Sequence, residues 1–250
     1  MNTEMNKHKT IGVLGGMGPA ATVEYFRRLV AATPASADQD HIHILIDNDP
    51  RIPNRIEAIL YGGPTPVPAL VTMAKRLETA GAEILTIPCN TVHYYLQNVR
   101  AVLRIPVIDM IAETVARLDV DVVGLLATTG TVLSGLYQDA CKARGIRVVV
   151  PEDEDQCTLV RAIDAIKAAR RFDDIEEALR PVVHALHDRG AEAIIAGCTE
   201  ISLLEGAHLA DRWIDALDCL VDAALREAMA PGAARGAGKE RDDGLERAGV

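Results

Sequence analysis

Short apolar segments alternate with longer amphipathic segments along most of the chain. The short segments are rich in Val and Ile and predict strands buried on both faces, at residues 11–14, 42–46, 84–87, 122–126, 146–150 and 193–196. The longer segments carry apolar residues at helical spacing, at residues 23–30, 70–79, 155–169 and 175–189. This alternation is typical of an α/β fold, in which helices cover a parallel sheet.

An internal repeat divides the predicted fold in two. Residues 81–89 (GAEILTIPC) align without a gap on residues 190–198 (GAEAIIAGC), 109 positions later. Residues 11–18 align on residues 123–130, 112 positions later. Two matched blocks at nearly the same offset predict two copies of one domain, and the period is far longer than the roughly 20 to 50 residues of a solenoid repeat.

We therefore expect two similar flavodoxin-like lobes with parallel sheets, related by a pseudo-twofold axis. The first lobe is placed at residues 10–110 and the second at residues 120–210, and a final helix at 211–229 is expected to pack back on the first lobe. Residues 1–9 and 231–250 are expected to be disordered tails, because the second of them combines Gly, Ala and balanced charge without an apolar period.

Composition excludes several classes of function. The chain has 26 basic and 36 acidic side chains, a net charge of −10, so a sequence-independent grip on nucleic acid is not expected. No apolar run approaches the roughly 18 residues of a membrane span, and the N-terminus lacks the apolar core of a signal peptide. Five cysteines without CxxC spacing argue against a disulfide framework. These features predict a cytoplasmic protein with reduced thiols.

Two cysteines occupy equivalent positions in the repeat, each just after a strand. Cys89 and Cys198 should therefore lie at the carboxyl edges of the two sheets, where open α/β folds bind ligands. A helical pattern follows each cysteine, and a helix N-terminus is expected to lower the pKa of its thiol. Two such thiols facing one interlobe cleft suit the transfer of a proton from one face of a carbon to the other.

A packing role is the alternative for these cysteines, since a free Cys usually behaves as a small buried hydrophobe. That interpretation is favoured for a single strand-end Cys, whereas two at equivalent repeat positions favour catalysis. Cys141, Cys157 and Cys219 lie inside helical patterns without this context and are expected to be packing residues.

The loop after the first predicted strand also resembles a phosphate-binding loop. Gly16, Gly18 and Ala21 satisfy G-x-G-x-x-A, which admits a nicotinamide dehydrogenase as a hypothesis. The second copy of the repeat has hydroxyls at Thr128 and Thr129, where a dinucleotide loop needs glycines. A compact anion such as a carboxylate fits both loops at least as well.

Six ordered blocks together resemble the cofactor-independent aspartate/glutamate racemases, over about residues 10 to 225. The blocks are GVLGGMGPAAT (12–22), RIPNR (51–55), PCNTVH (88–93), ATTGTVLSGLYQ (127–138), AIK (165–167) and GCTEISLL (197–204). The resemblance implies a two-base racemase that uses neither pyridoxal phosphate nor a metal. It also implies a homodimer with an amino acid as substrate and the active site between the lobes.

The resemblance further implies a role for each matching residue. Cys89 and Cys198 would be the two catalytic bases. The α-amino and α-carboxylate groups would be held by Asn90, Thr91 and Thr199 with backbone help at Met17, and the distal carboxylate by Arg55 and Lys167. The other expected substrate contacts are Pro53, Asn54, Val92 and Thr131.

Three residues near these positions carry alternatives. Asn54 replaces an Asp found in many relatives, which changes the charge balance around Arg55. Glu200 could orient or deprotonate Cys198, or could cap a first helical turn. His93, four residues after Cys89, could assist it across one turn or simply pack.

His41 and His43 alternate on a strand without further matched ligands, so no metal site is expected.

The sequence thus predicts racemisation of an amino acid, most favourably aspartate or glutamate. The first alternative keeps the fold and the thiols but changes the substrate, to a broader range of amino acids, a hydantoin or maleate. A noncatalytic, two-lobed carboxylate-binding protein is a second alternative, and a nicotinamide dehydrogenase ranks last.

Overall fold

A computed structural model describes residues 8–168, 172–204 and 209–230. The strands are β1 (Ile11–Gly15), β2 (Ile44–Asn48), β3 (Ile84–Thr86), β4 (Val122–Leu126), β5 (Arg147–Val149), β6 (Ala193–Ala196) and β7 (Trp213–Asp215). The α-helices are α1 (Pro19–Ala32), α2 (Arg55–Tyr61), α3 (Val67–Thr79), α4 (Leu96–Arg100), α5 (Met110–Ala116), α6 (Thr129–Leu133), α7 (Leu136–Lys142), α8 (Asp153–Lys167), α9 (Phe172–Asp188) and α10 (Ala216–Met229). Within these ranges no helix is long and apolar enough to cross a membrane.

The strands form two parallel sheets with the same internal order. The first sheet has the order β2-β1-β3 and the second β5-β4-β6-β7. In each sheet the first strand of the lobe is central, so Ile11 lies opposite both Ile44 and Ile84. The prediction of two parallel α/β sheets is confirmed.

The repeat also appears in how each central strand packs. A Cβ atom added at Gly12 of β1 would lie 2.8 Å from Cβ of Ala82, and one added at Gly124 of β4 would lie 3.3 Å from Cβ of Ala191. Both glycines therefore allow close packing of the turn that precedes β3 in the first sheet and β6 in the second. Gly12 and Gly124 are equivalent positions of the aligned blocks, as are Ala82 and Ala191.

Each lobe receives a helix from the end of the other. Helix α5 follows the first lobe, but its Ile111 and Val115 pack in a cluster with Val123 of β4. Helix α10 follows the second lobe, but its Leu217 and Leu220 pack with β1, β3 and α1 of the first. An aspartate side chain caps the start of each helix, Asp109 for α5 and Asp215 for α10.

Several predicted details are wrong. Strands β2 and β5 are not buried on both faces, since Ile46 of β2 and Arg147 of β5 are exposed. Residues 211–229 do not form one helix, since the segment 213–215 extends the second sheet as β7. Residue 9 of the expected tail contacts α10, with the Lys9 N–H donating to the Ala228 carbonyl. Residues 1–7 and 231–250 of the expected tails lie outside the described residues.

Candidate active site

A cavity of about 430 Å³ lies between the carboxyl edges of the two sheets. Cys89 reaches it from the segment after β3, and Cys198 reaches it from the segment after β6. Glu200 also lines the cavity, and most of the predicted substrate contacts are among its other lining residues. These other residues come from both lobes and are Met17, Pro50, Ile52, Asn54, Arg55, Ile56, Asn90, Thr91, Thr128, Val160, Asp164, Lys167 and Thr199.

The two thiols have different surroundings. The Cys198 Sγ–H donates a hydrogen bond of 3.0 Å to Glu200 Oε2, and both residues are buried. Cys89 is approached by the positive charge of Arg55 and by the backbone N–H of Val92. One thiol therefore has an acceptor carboxylate beside it, whereas the other has a cation and an amide donor.

The expected lowering of the thiol pKa values is wrong. Burial raises the pKa of Cys89, although Arg55 and the Val92 N–H oppose this effect. Burial raises the pKa of Cys198 further, and the charge of Glu200 adds to it. Short 3₁₀ turns follow both cysteines, at Thr91–Tyr95 and Ile201–Leu203, and their weak dipoles do not offset the loss of water around the thiols.

His93 supports the Cys89 segment from behind the cavity. Its ring Nε2 accepts a hydrogen bond from the Met110 N–H at 3.1 Å, so its Nδ1 carries the proton and donates to the Cys89 carbonyl at 2.8 Å. Burial lowers the pKa of His93, which favours this neutral form. The histidine does not line the cavity, and it acts on the Cys89 main chain rather than on the thiol.

Asn90 is oriented by a residue of the opposite lobe. The Tyr137 hydroxyl donates to Asn90 Oδ1 at 2.6 Å, and both side chains are buried. Asn90 Nδ2 is also buried and has no protein partner among the described residues. Because Tyr137 occupies the oxygen, the amide nitrogen is the polar atom of Asn90 that remains without a partner in the described part of the chain.

Three threonine hydroxyls join the lobes at the same end of the cavity. Thr91 of the first lobe lies 3.0 Å from the hydroxyl of Thr128 and 2.8 Å from that of Thr131, both in the second lobe. Thr131 is fully buried and does not line the cavity, so its contribution is to position Thr91 and Thr128.

Arg55 lies at the start of α2 with its guanidinium only partly satisfied. Nη1 donates to the Ile52 and Pro53 carbonyls at 3.4 and 3.2 Å, and the buried Nε has no partner among the described residues. Asn54 caps the same helix, its Oδ1 accepting from the Ile56 N–H at 2.9 Å. Capping accounts for a short polar side chain at position 54, and an Asp would perform this role equally well.

Lys167 lines the opposite wall from the last turn of α8. Its Nζ lies 3.8 Å from Asp164 Oδ1, and its side chain is 45% exposed. The lysine is thus only loosely paired in solvent, and it remains available to an anionic ligand.

The structure does not bring every predicted contact to the cavity. Pro53 offers its carbonyl to Arg55, and the Val92 side chain lies in the core of the first lobe. The sequence interpretation missed Asp164 and the role of Tyr137. Asp164 could have been found from its position three residues before Lys167, on the same helical face.

The glycine loop that suggested a dinucleotide site has a structural explanation. Gly16 has φ +98°, and a Cβ there would lie 2.3 Å from the Asp49 carbonyl oxygen. The glycine therefore permits close contact between this loop and the segment after β2. Met17 and Gly18 follow in the loop, and a Cβ at Gly18 would lie 3.4 Å from Glu200 Oε1.

A Tyr137→Phe substitution tests how Asn90 is held. Loss of the hydroxyl leaves Asn90 Oδ1 buried without its donor, so we expect the free energy of unfolding to fall by about 1–3 kcal/mol. Urea denaturation measures this change, with Tyr94→Phe as a control at an exposed ring. Equal stability of the two variants would contradict the assigned hydrogen bond.

The fold and the cleft place the protein among two-lobed α/β enzymes of the racemase type. The Asp/Glu/hydantoin racemase family matches residues 14–224, and the chain belongs to this family. The resemblance seen in the sequence is thereby confirmed.

Similar proteins of known description agree with this assignment. Picrophilus torridus aspartate racemase has a similar structure, with a TM-score of 0.79 and 31% identity over 87% of this chain and 93% of its own. A putative Asp/Glu racemase from Yersinia pestis gives a TM-score of 0.72 and 26% identity, covering 87% and 97%. The broad specificity amino-acid racemase RacX of Bacillus subtilis is 26% identical over 242 residues, 88% of this chain and 98% of RacX.

Proposed function

We propose that the protein racemises aspartate or glutamate, using Cys89 and Cys198 as the two acid–base groups. The observation that carries the proposal is the cavity itself, in which both thiols meet two cationic side chains, Arg55 and Lys167. One thiol on each side of the cleft accounts for proton transfer at both faces of an α-carbon. The cations account for a second carboxylate on the substrate.

In this mechanism one cysteine thiolate removes the α-proton and the opposite thiol donates a proton to the other face. The first cysteine leaves the turnover as a thiol and the second as a thiolate, so the protons balance and the enzyme is ready for the reverse reaction. The hydrogen bond from Cys198 to Glu200 suits Cys198 to begin as the protonated acid, with Cys89 as the base. Cys198, left as a thiolate by that turnover, can then serve as the base for the other enantiomer.

The developing negative charge on the α-carboxylate needs donors that are already in place. Asn90 Nδ2 and the hydroxyls of Thr91, Thr128 and Thr199 are such donors in or beside the cavity. Tyr137 fixes Asn90, and Thr131 fixes Thr91 and Thr128. Little reorganisation of these donors therefore accompanies proton removal.

Exchange of the α-proton tests the proposal directly. The protein should be incubated with L- and D-aspartate and L- and D-glutamate in deuterated water without added cofactor. We expect α-deuterium and loss of optical rotation in the same samples. The absence of α-proton exchange in every common amino acid would overturn the proposal.

The pH profile follows from the buried thiols. Because burial raises the pKa of both, the thiolate fraction of the free enzyme is small at neutral pH. We expect kcat/KM to rise from about pH 7 and to continue rising beyond about 8.5, the ordinary value for a thiol. Glu200→Gln removes the charge that disfavours the Cys198 thiolate, so the rise of kcat/KM should begin at lower pH in this variant. An unchanged pH profile would contradict the contact between Cys198 and Glu200.

A second candidate function is racemisation of a broader range of amino acids. An adjoining cavity of about 470 Å³ shares Met17, Pro50, Arg55, Lys167 and Glu200 with the first and continues towards Ala20, Ile166 and Leu203. A longer side chain could extend past the two cations into this space. Leu203→Phe should then slow racemisation of large amino acids while leaving that of aspartate unaffected. Equal effects on both would contradict binding of the longer side chain in the adjoining cavity.

A further inference from the structure

A buried ionic network lies behind the Cys198 turn and connects it to the first lobe. At its centre is Arg28 of α1, whose side chain is 15% exposed. Nη1 donates to Asp215 Oδ2 at 2.7 Å, and Nη2 donates to the Ser202 carbonyl. The Ser202 hydroxyl donates to Asp215 Oδ1 at 2.5 Å, so Arg28, Ser202 and Asp215 form a closed triangle.

The triangle is joined to Cys198 through the main chain. Ser202 lies in the 3₁₀ turn in which the Ile201 N–H donates to the Cys198 carbonyl at 3.0 Å and the Leu203 N–H donates to the Glu200 carbonyl at 3.1 Å. Holding Ser202 from both its carbonyl and its hydroxyl therefore limits movement of Cys198 and Glu200. The Cys89 segment is held by His93 instead.

We propose that Arg28 is a positioning residue for the Cys198 thiol, acting through the Ser202 carbonyl and the Asp215 carboxylate. Its guanidinium fork suits this task, because one planar group can satisfy a carboxylate and a carbonyl at fixed angles. Asp215 is itself buried, so removal of Arg28 leaves its carboxylate without the cation that compensates it. The mechanistic meaning of this role rests on the proposed racemase function.

Site-specific alkylation tests the positioning without requiring turnover. Rates of iodoacetamide modification at Cys89 and Cys198 can be followed in the intact protein by peptide mass spectrometry. Loss of charged hydrogen bonds should favour local opening, so we expect Arg28→Met to speed modification of Cys198 by about ten-fold and that of Cys89 by less than about two-fold.

Arg27→Met is the matched control, since Arg27 is the preceding residue of the same helix and is 64% exposed; its partner Glu24 also accepts from Arg28 Nε and keeps that contact in the control. It should change neither rate. If Arg28→Met fails to fold, Arg28→Lys and Asp215→Asn replace it; the asparagine can still cap α10 while losing the charge that holds Arg28. Equal acceleration at both cysteines, or none at Cys198, would overturn the proposal.

A half-reaction test connects the positioning to catalysis. An enzyme thiolate that removes the α-proton of β-chloroalanine allows chloride to leave, and the resulting 2-aminoacrylate hydrolyses to pyruvate and ammonia. This sequence needs a base on one face only, so each enantiomer reports one cysteine, assigned with Cys89→Ser and Cys198→Ser. Arg28→Met should slow the enantiomer that uses Cys198 by about ten-fold and the other by less than about two-fold.

The outcomes separate the two proposals. Equal slowing of both enantiomers would overturn the positioning role, because a general loss of structure affects both faces. A wild-type protein that exchanges no α-proton would overturn the racemase function, and the alkylation rates would still decide whether Arg28 positions Cys198.

Discussion

Cys89→Ser and Cys198→Ser variants are each expected to lose racemisation almost completely. A positioned acid or base typically contributes about 10²- to 10⁴-fold to a rate, and a serine hydroxyl is far too weak an acid to replace a thiol in either role. Loss of either partner interrupts the transfer between faces, even when the other thiol is intact. Polarimetry with both enantiomers of aspartate and glutamate measures the loss.

The same variants should retain different partial reactions. Cys198→Ser keeps the Cys89 base, so exchange of the α-proton can survive for one enantiomer without inversion, and Cys89→Ser should show the opposite preference. Cys157→Ser is the control, because Cys157 is an exposed thiol outside the cavity. Full racemisation by either active-site variant would remove that cysteine from the mechanism.

Arg55→Met is expected to raise KM for aspartate and glutamate by about ten- to a hundred-fold. A hydrogen bond to a charged group is typically worth about 1.5–3 kcal/mol, and each 1.4 kcal/mol corresponds to about ten-fold in affinity. Arg55 lines the cavity, and loss of its guanidinium charge and donors carries this effect. Initial rates over a range of substrate concentrations measure KM and kcat separately.

Arg51→Met provides the matched control in the same segment. Its side chain is 87% exposed and pairs with Asp49, so KM should not change. A neutral substrate such as alanine gives a second comparison, since its side chain cannot reach the guanidinium. An equal increase in KM for alanine and glutamate would show that Arg55 acts on the cavity as a whole and not on a distal carboxylate.

The hydrophobic pattern and the repeat predicted most of the fold because both report burial. Strands β1, β4 and β6 lie close to their predicted bounds, since they are central and apolar throughout. Strands β2 and β5 are as apolar in sequence as buried strands, so the hydrophobic pattern did not reveal that they are partly exposed. Strand β7 was hidden because Trp213–Asp215 is only three residues long and leads directly into α10.

The candidate site was partly predictable from the repeat, which indicated the two cysteines, and from the family resemblance, which indicated the two cations. Cys89, Cys198, Arg55 and Lys167 fall in recognisable blocks, and the structure brings all four to one cavity. Residues that hold another residue in place, and do not line the cavity themselves, were not marked by any motif in the sequence. Tyr137 contacts Asn90 across the cleft, 47 positions away, and Arg28 contacts Asp215, 187 positions away.

The thiol pKa values show a further limit of the sequence. A helical pattern after each cysteine suggested stabilised thiolates, but the pattern does not reveal how thoroughly water is excluded. Cys89 and Cys198 are 5% and 4% exposed, and burial decides the direction of both shifts.

The exchange of helices α5 and α10 also determines how the lobes are joined. The chain passes between the lobes twice, once at Asp109 as α5 begins and once at Asp215 as α10 begins. Because α5 and α10 pack against each other, the two crossings lie side by side. Asp215 also binds Arg28 and Ser202, so one crossing lies next to the Cys198 turn. The support of that turn and the connection between the lobes therefore depend on the same carboxylate.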